Sequence, residues 1–405
     1  MAPRRCVLAA FLVLAQAVPA APSSPGWLVV HTWPYTGCAA AAADVLSAGG
    51  SALDAVVSGA TAAERNPDFD SVGWGAHPDA AGEPTLDALV MCGRSRRVGA
   101  VGALRSVKDA ARVARLVLEH TSHSLLVGSQ ATEFAATFGR LPVESLRSDA
   151  SDAAFAAWTN NSCQPNFWRN TEPAPSSGCG PFQPASTASS SPSSGARPPV
   201  TPDTHDTLSI AARDVEGNWA AATSTNGLAL KIPGRVGDAA VPGSGNYAVN
   251  GVGACGSTGD GDVLMRFLPC YQVVESLRMG SSPLDAAEDA LARIRAVSTD
   301  FTGAVFAVNA AGEHAGAAHN WVFTYSVLVE GDAEATVYTV KPRPGIEPRG
   351  PTAPVTPIGQ LAAAALAGAI AAFVLLSCQW QHGVAAAVSA DSRAPLRAPL
   401  LTPEA

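Results

Sequence analysis

The residues with the clearest chemical potential lie where the chain changes character. From Gly178 to Thr204 it is Ser, Pro, Ala, Thr and Gly with almost no large apolar side chain. Such a stretch cannot bury enough surface to order itself and reads as a flexible link. It ends on His205-Asp206-Thr207, and an apolar run, Leu208 to Arg213, follows at once. A threonine hydroxyl held against the carbonyl before it can attack that carbonyl. The peptide shifts to an ester, water releases the ester, and Thr207 becomes a new N-terminus with its α-amine beside its hydroxyl. An unperturbed α-amine has a pKa of about 7.7–8.0, so it can serve its own hydroxyl as base near neutrality. Asp206 taken alone is also an ordinary turn residue before a strand. The segments around the dipeptide decide between the two.

The elements that must position Thr207 follow from periodicity. Trp27 to Thr32 reads as a strand. Ala39 to Leu46 and Ser51 to Arg65 have helical spacing, with Gly49-Gly50 as a stop between them. Asp70 to Pro84 is a Gly-, Asp- and Pro-rich loop, and Leu86 to Met91 a strand. Val107 to His120 is a helix with Ala110, Val113, Leu116 and Val117 on one face. Leu208 to Arg213 and Trp219 to Thr225 form a hairpin around Glu216-Gly217-Asn218. Gly227 to Gly261 is Gly-rich and loop-like. Val263 to Arg278 and Leu284 to Val297 are helices, and Gly303 to Asn309 and Trp321 to Leu328 are strands. Helices and strands recurring in both halves imply a mixed sheet core covered by helices.

Composition narrows the function classes. The chain has 405 residues and a net charge of -8, so it lacks the electrostatic footprint of a nucleic-acid binder. Residues 1–20 read as a secretory signal: Arg4 and Arg5, an apolar run from Val7 to Leu14, then Val18-Pro19-Ala20 as a cleavage site. That places the eight cysteines in an oxidising compartment. Cys163 and Cys179 bracket a Pro-, Asn- and Ser-rich loop and are the best disulfide candidates. Asn160-Asn161-Ser162 is a glycosylation sequon. No Cys or His cluster has metal-ligand spacing, so neither metal nor cofactor is expected. Beyond Val340, residues 341–358 are a Pro-rich spacer. Leu361 to Cys378 is uncharged and at the threshold of a membrane span, the expected tether. Residues 379–405 form an Ala- and Pro-rich tail.

Several motifs accompany His205-Asp206-Thr207. Downstream are Ala222-Thr223-Ser224-Thr225-Asn226-Gly227, Pro233-Gly234-Arg235-Val236-Gly237-Asp238, Pro242-Gly243-Ser244-Gly245 and Ser257-Thr258-Gly259-Asp260-Gly261-Asp262, then Met265-Arg266-Phe267-Leu268-Pro269. Upstream are Thr32-Trp33-Pro34, Gly49-Gly50-Ser51-Ala52-Leu53-Asp54-Ala55-Val56, Ser71-Val72-Gly73, Thr85-Leu86-Asp87-Ala88, Cys163-Gln164-Pro165-Asn166 and Trp168-Arg169-Asn170. In this order they resemble the glycosylasparaginases, N-terminal-nucleophile hydrolases of the threonine asparaginase type, over roughly residues 27 to 330.

The resemblance implies an α/β (α+β) fold, the four-layer αββα sandwich, cleaved by itself into an α subunit (21–206, with a flexible linker about 180–205) and a β subunit (207–340). It implies Thr207 as nucleophile, Thr225 as its hydrogen-bonding neighbour, and Thr258 and Gly259 as the oxyanion hole. Arg235 and Asp238 would hold the substrate's α-carboxylate and α-amine, with Trp33 lining the site. Asp206 and Ser71 belong to the self-cleavage centre. The physics agrees: a carboxylate suits the planar fork of Arg235, an ammonium wants the carboxylate of Asp238, and a developing oxyanion wants preorganised donors. A glycine at 259 lets backbone approach the substrate closely. The implied substrate is a glycosyl-asparagine, cleaved in the lumen of a lysosome or vacuole. The implied partners are the chain's own two subunits, as a heterodimer or a dimer of heterodimers. The chain departs from the family pattern at Thr204, where Gly is usual, at Ser257 and Asp260, where Ala and Asn are common, and at Pro233.

Three other readings compete. A plant-type asparaginase or isoaspartyl peptidase would use the same threonine and clamp. A non-catalytic, membrane-anchored binding protein would keep only the fold. Gly251-Val252-Gly253-Ala254-Cys255-Gly256 fits a dinucleotide-binding pattern, but with no strand expected before it and no helix directly after it the required context is missing.

Overall fold

The computed structural model describes residues 26–186 and 207–342. The first half runs β1 (Leu28–Thr32), α1 (Thr36–Ser47), α2 (Ala52–Glu64), β2 (Leu86–Cys92), β3 (Val98–Leu104), α3 (Ala110–His120), β4 (Leu125–Val127), α4 (Gly128–Thr137), α5 (Asp149–Asn160), β5 (Thr171–Glu172) and β6 (Gln183–Pro184). The second runs β7 (Leu208–Arg213), β8 (Trp219–Thr225), β9 (Asn246–Val249), β10 (Gly253–Gly259), α6 (Gly261–Phe267), α7 (Pro269–Arg278), α8 (Pro283–Arg295), β11 (Gly303–Asn309), β12 (His314–His319), β13 (Phe323–Val329) and β14 (Thr336–Val340). An eight-stranded sheet has the order β14-β13-β1-β7-β8-β2-β3-β4, and a four-stranded sheet the order β12-β11-β10-β9.

Strand alternation explains how these stack. Along β1, β7 and β8, Val29, Ile210, Ala212, Ala220 and Ala222 point into a core shared with α1, α2 and α3. Their neighbours Leu28, Val30, Ala211, Trp219 and Ala221 point the other way, against Ala254, Phe306 and Val308 of the small sheet. The outer face of that sheet presents Cys255, Val305 and Ala307 to α7 and α8. Both sheets are thus apolar on both faces, so each must be covered twice. The result is a mixed α/β architecture of helices, sheet, sheet and helices.

The expected hairpin is β7–β8, with Leu208 opposite Ser224. Three expectations need correction. The Gly-rich stretch from Gly227 to Gly261 is not all loop; it holds β9 and β10. Strand β10 reads Gly-Ala-Cys-Gly-Ser-Thr-Gly because it is sandwiched between the large sheet and its neighbours. A Cβ at Gly256 would come within 2.4 Å of the Phe306 ring. Packing overrides β-propensity there. Second, a strand (β9) does precede the dinucleotide-like glycines, but they lead into β10, a hairpin and not a strand–turn–helix unit. Third, Val263 to Arg278 is two helices. Leu268 adopts a left-handed conformation (φ 50°) ahead of Pro269, which disfavours helical geometry in its predecessor.

Cys163 and Cys179 are joined, with Cα atoms 4.9 Å apart, and Asn160 is exposed at the end of α5. Among the described residues no helix is long and apolar enough to cross a membrane. The expected signal, residues 187–204 of the expected linker and the segment Leu361 to Cys378 lie outside the described residues. The start of that linker, expected to be flexible from Gly178, is instead tied down by the Cys163–Cys179 bond and by β6 pairing with β5.

Candidate active site

Four strand ends meet at Thr207. It stands immediately before β7, and the β7–β8 register carried one residue further puts it opposite Thr225, the last residue of β8. β1 runs antiparallel on the other side of β7 and ends at Thr32. Thr258 and Gly259 close β10 in the facing sheet. Thr207 is fully buried. Its carbonyl accepts from Thr32 Oγ1 at 2.8 Å and Trp33 Nε1 at 3.2 Å, and its N–H donates to Thr258 Oγ1 at 3.2 Å. Its backbone is therefore held from both sheets. Asp206 lies outside the described residues.

Trp33 both packs and positions. Its indole is 5 % exposed and sits edge-on to Trp321 and Phe323. Its own φ of 68° is unusual for so bulky a residue. Thr32 carried no assigned role in the sequence, yet its hydroxyl also accepts from Ser209 N at 2.9 Å and so ties β1 to β7 across Thr207. Thr225 Oγ1 donates to the Ser71 carbonyl at 3.3 Å and accepts from Gly227 N at 2.9 Å. The Asn226 N–H donates to the same Ser71 carbonyl at 2.8 Å. Gly259 has a φ of +124°, and a Cβ there would meet the Gly303 Cα of β11 at 2.4 Å. The glycine is required by strand β11, a different reason from the substrate approach expected of it.

Asp238 connects to this point through β10, where Ser257, the neighbour of Thr258, lies 3.3 Å from its Oδ2, and Arg235 and Asp238 do not pair directly. Arg235 donates from Nε and Nη2 to Asp262 at 3.4 and 3.3 Å, and Asp262 is 42 % exposed. Its Nη1 is buried without a hydrogen-bond partner. Asp238 is fully buried, and its Oδ1 is likewise unpartnered. Neighbouring glycines make the room: a Cβ at Gly237 would meet Arg235 Nη1 at 2.7 Å, and one at Gly261 would meet Asp238 Oδ1 at 2.5 Å. Burial pushes the Asp238 carboxyl up to about 7, with Arg235 and the Ser257 hydroxyl pulling the other way. Ser257, one of the departures, lies 3.3 Å from Asp238 Oδ2 while its proton goes mainly to the Ser244 carbonyl at 2.8 Å. Asp260, another departure, caps α6 by accepting from Val263 N at 3.3 Å. Among the described residues no group of His, Cys, Asp and Glu could hold a metal ion.

The arrangement offers a hydroxyl, a neighbouring hydroxyl donor and acceptor, and two buried charges of opposite sign with open valences. It suits a ligand carrying both an anionic and a cationic group close to a carbonyl under attack. The family model for asparaginase matches residues 8–338. The chain belongs to the asparaginase family. It is 46 % identical over 327 residues to an Arabidopsis thaliana protein named probable isoaspartyl peptidase/L-asparaginase 3, covering 78 % of this chain and 90 % of that one. It is also 46 % identical over 304 residues to the Rattus norvegicus protein named N(4)-(beta-N-acetylglucosaminyl)-L-asparaginase, covering 75 % and 87 %. A putative enzyme of the latter name from Drosophila persimilis is 46 % identical over 299 residues, 72 % and 77 % of the two chains.

Two buried groups of this asparaginase-family chain were not legible as site residues. Glu64, the last residue of α2, accepts from Ser224 Oγ at 2.6 Å and Ala111 N at 2.8 Å, and burial pushes its carboxyl up to about 8. Its own carbonyl accepts from Trp74 N at 3.2 Å, closing the loop that carries Ser71. Lys231 is buried with its ammonium on the carbonyls of Thr85 and Asn226, and burial pulls it down to about 8. A charged residue at a helix end and a lysine in a segment bounded by Gly227 and Gly234 look like surface features in sequence; only burial marks them.

Proposed function

We propose that the protein is a self-processing amidohydrolase that cleaves the side-chain amide of N4-(β-N-acetylglucosaminyl)-L-asparagine. One observation carries this: the two open, buried valences, cationic at Arg235 Nη1 and anionic at Asp238 Oδ1, with Asp238 linked through Ser257 to the residue, Thr258, that meets the buried Thr207. A free asparagine unit brings an α-carboxylate for the first and an α-ammonium for the second, and leaving either charge unpaired is costly. Thr207 attacks the side-chain carbonyl, with its own α-amine as base once the Asp206–Thr207 bond is cut and Thr225 as its neighbour. Thr258 and the Gly259 backbone face the oxyanion. Ser71 is assigned to the cutting step through the Thr225–Ser71 link. The layer order of helices, sheet, sheet and helices supports the αββα sandwich, with residues 21–206 and 207–340 as two subunits of one heterodimer. The reading places the enzyme in a lysosomal or vacuolar lumen.

The likeness to the Arabidopsis relative favours a second reading, hydrolysis of L-asparagine or β-aspartyl peptides with the same clamp. Comparing hydrolysis of N-acetylglucosaminyl-asparagine with β-aspartyl dipeptides separates the two: faster turnover of the dipeptides overturns the first. N-terminal sequencing of the mature protein tests self-processing. A second N-terminus at Thr207 is expected, and Thr207→Ala should give one uncut, inactive chain. If Thr207→Ala protein still appeared as two pieces, an outside protease would be responsible.

A further inference from the structure

The turn that carries Arg235 also lines a cavity. Ile232 O accepts from Arg235 N at 3.0 Å, so Ile232, Pro233, Gly234 and Arg235 form one tight turn, whose ends lie within about 7 Å. Arg235 is the clamp. On the same turn, Ile232 and Pro233 line a cavity of about 430 Å³ whose other walls include Phe155, Trp158, Phe167, Trp168 and Phe182. The turn is fixed in place: Leu230 N donates to Pro78 O and Ala80 N to Lys231 O, each at 2.8 Å. The opposite wall is fixed by the Cys163–Cys179 bond and by the Trp158 indole N–H on the Pro165 carbonyl at 2.8 Å.

The chemistry of the lining selects its occupant. No charged side chain faces the cavity, although the chain as a whole is acidic. Its polar side chains are already engaged: Asn166 donates to the Cys163 and Pro175 carbonyls and accepts from Trp168 N, and the Thr159 hydroxyl donates to Phe155 O. Aromatic faces remain. Trp168 and Phe182 are half-buried, with ring centroids 5.4 Å apart. A pyranose ring offers a C–H face that packs on indole and phenyl rings while its hydroxyls stay in water, the division of labour that suits an aromatic wall open on one side. A charged peptide segment would find no partner there.

We propose that this cavity is a saccharide subsite, which receives the sugar beyond the one attached to asparagine. The inference rests on the glycosyl-asparagine reading. The asparagine unit is gripped at Arg235 and the glycan leaves along the same turn into the aromatic cavity. Because Asn166 and Thr159 are already engaged, the subsite recognises mainly ring faces and discriminates weakly among hydroxyl configurations.

The test compares asparagine bearing one N-acetylglucosamine with asparagine bearing the β1,4-linked disaccharide, on fully processed enzyme. The readout is the ratio of kcat/KM for disaccharide over monosaccharide. Trp168→Ala and Phe182→Ala should each lower that ratio, the former roughly ten-fold, equivalent to about 1.4 kcal/mol, with Trp168→Phe recovering most of it. The free disaccharide should also inhibit the wild type. An unchanged ratio in both alanine variants, or no inhibition by the free disaccharide, overturns the subsite. If Trp168→Ala does not fold, Phe182→Ala and the inhibition measurement still decide. A wild type that hydrolyses neither glycosyl-asparagine fails at the parent reading instead.

Discussion

A carboxyl held near pH 7 must give up its proton before it can pair with an ammonium. Burial holds Asp238 in that state, with its carboxyl up at about 7, so binding of an α-amino acid at Asp238 should be linked to proton release. Below pH 7 the ionised fraction falls ten-fold per unit. At pH 5 only about 1 % of the sites are ionised before binding, which weakens apparent affinity roughly 100-fold, about 2.7 kcal/mol. The assay is calorimetric titration of the processed enzyme with L-aspartate, which carries both α groups, at pH 5, 6, 7 and 8. Buffers of different ionisation enthalpy count the protons. About one proton should leave per site at pH 5 to 6, and the dissociation constant should drop steeply up to pH 7 and then flatten. Asp238→Asn should abolish this proton release. A dissociation constant flat from pH 5 to 7, with no proton released, would refute an ammonium pairing with Asp238.

Arg235→Lys keeps the charge but loses the planar fork; kcat/KM on the free glycosyl-amino acid should fall ~10- to 100-fold, and the wild type should turn over peptide-embedded glycosyl-asparagine poorly. Non-reducing peptide mapping should recover Cys163 and Cys179 as one linked pair, and replacing Cys163 by Ser should cost about 3 kcal/mol by chain entropy, read from urea midpoints. Glu64 holds its proton up to about 8 in the fold and ionises near 4.3 when unfolded. Its contribution to stability is therefore lost as pH rises between those values. Glu64→Gln should reduce the difference between urea midpoints at pH 5 and pH 8, and an undiminished difference would clear Glu64 of that role. Alkaline carbonate extraction tests the tether expected from the sequence at Leu361 to Cys378: activity released wholly to the supernatant rules it out.

Much of the candidate site was legible because the residues proposed for it are chemically specialised and close in sequence. Thr207, Thr225, Arg235, Asp238, Thr258 and Gly259 all fall within about fifty residues, on or beside strands whose ends converge. The hairpin β7–β8 reads plainly because Leu208, Ile210 and Trp219 follow strand periodicity. Strands β3 and β10 do not, because each is squeezed on a face where only small residues fit: a Cβ at Gly99 would strike helix α3, and one at Gly256 the Phe306 ring. Glycine reads as loop in sequence and means close packing here. The hydrogen-bonding part of Thr32 was hidden for another reason. It acts on Thr207 from 175 positions away, and no local pattern reports a contact made only when two strands meet.

The strand order has a consequence for how such a protein can be made. β1, from the first half of the chain, is paired along both edges by strands of the second, β13 and β7, and β8 of the second half is paired by β2 of the first. A cut before Thr207 therefore divides a sheet whose strands are interleaved. The uncut chain reaches this arrangement in a unimolecular reaction. Once cut, the same arrangement could be regained from the unfolded state only through a bimolecular encounter that threads β1 between two strands of its partner. A cut at the proposed bond would have to follow folding, and the cut protein would then keep its precursor's connectivity kinetically. Unfolding it should then be close to irreversible at low concentration, while the Thr207→Ala precursor refolds at a rate independent of dilution.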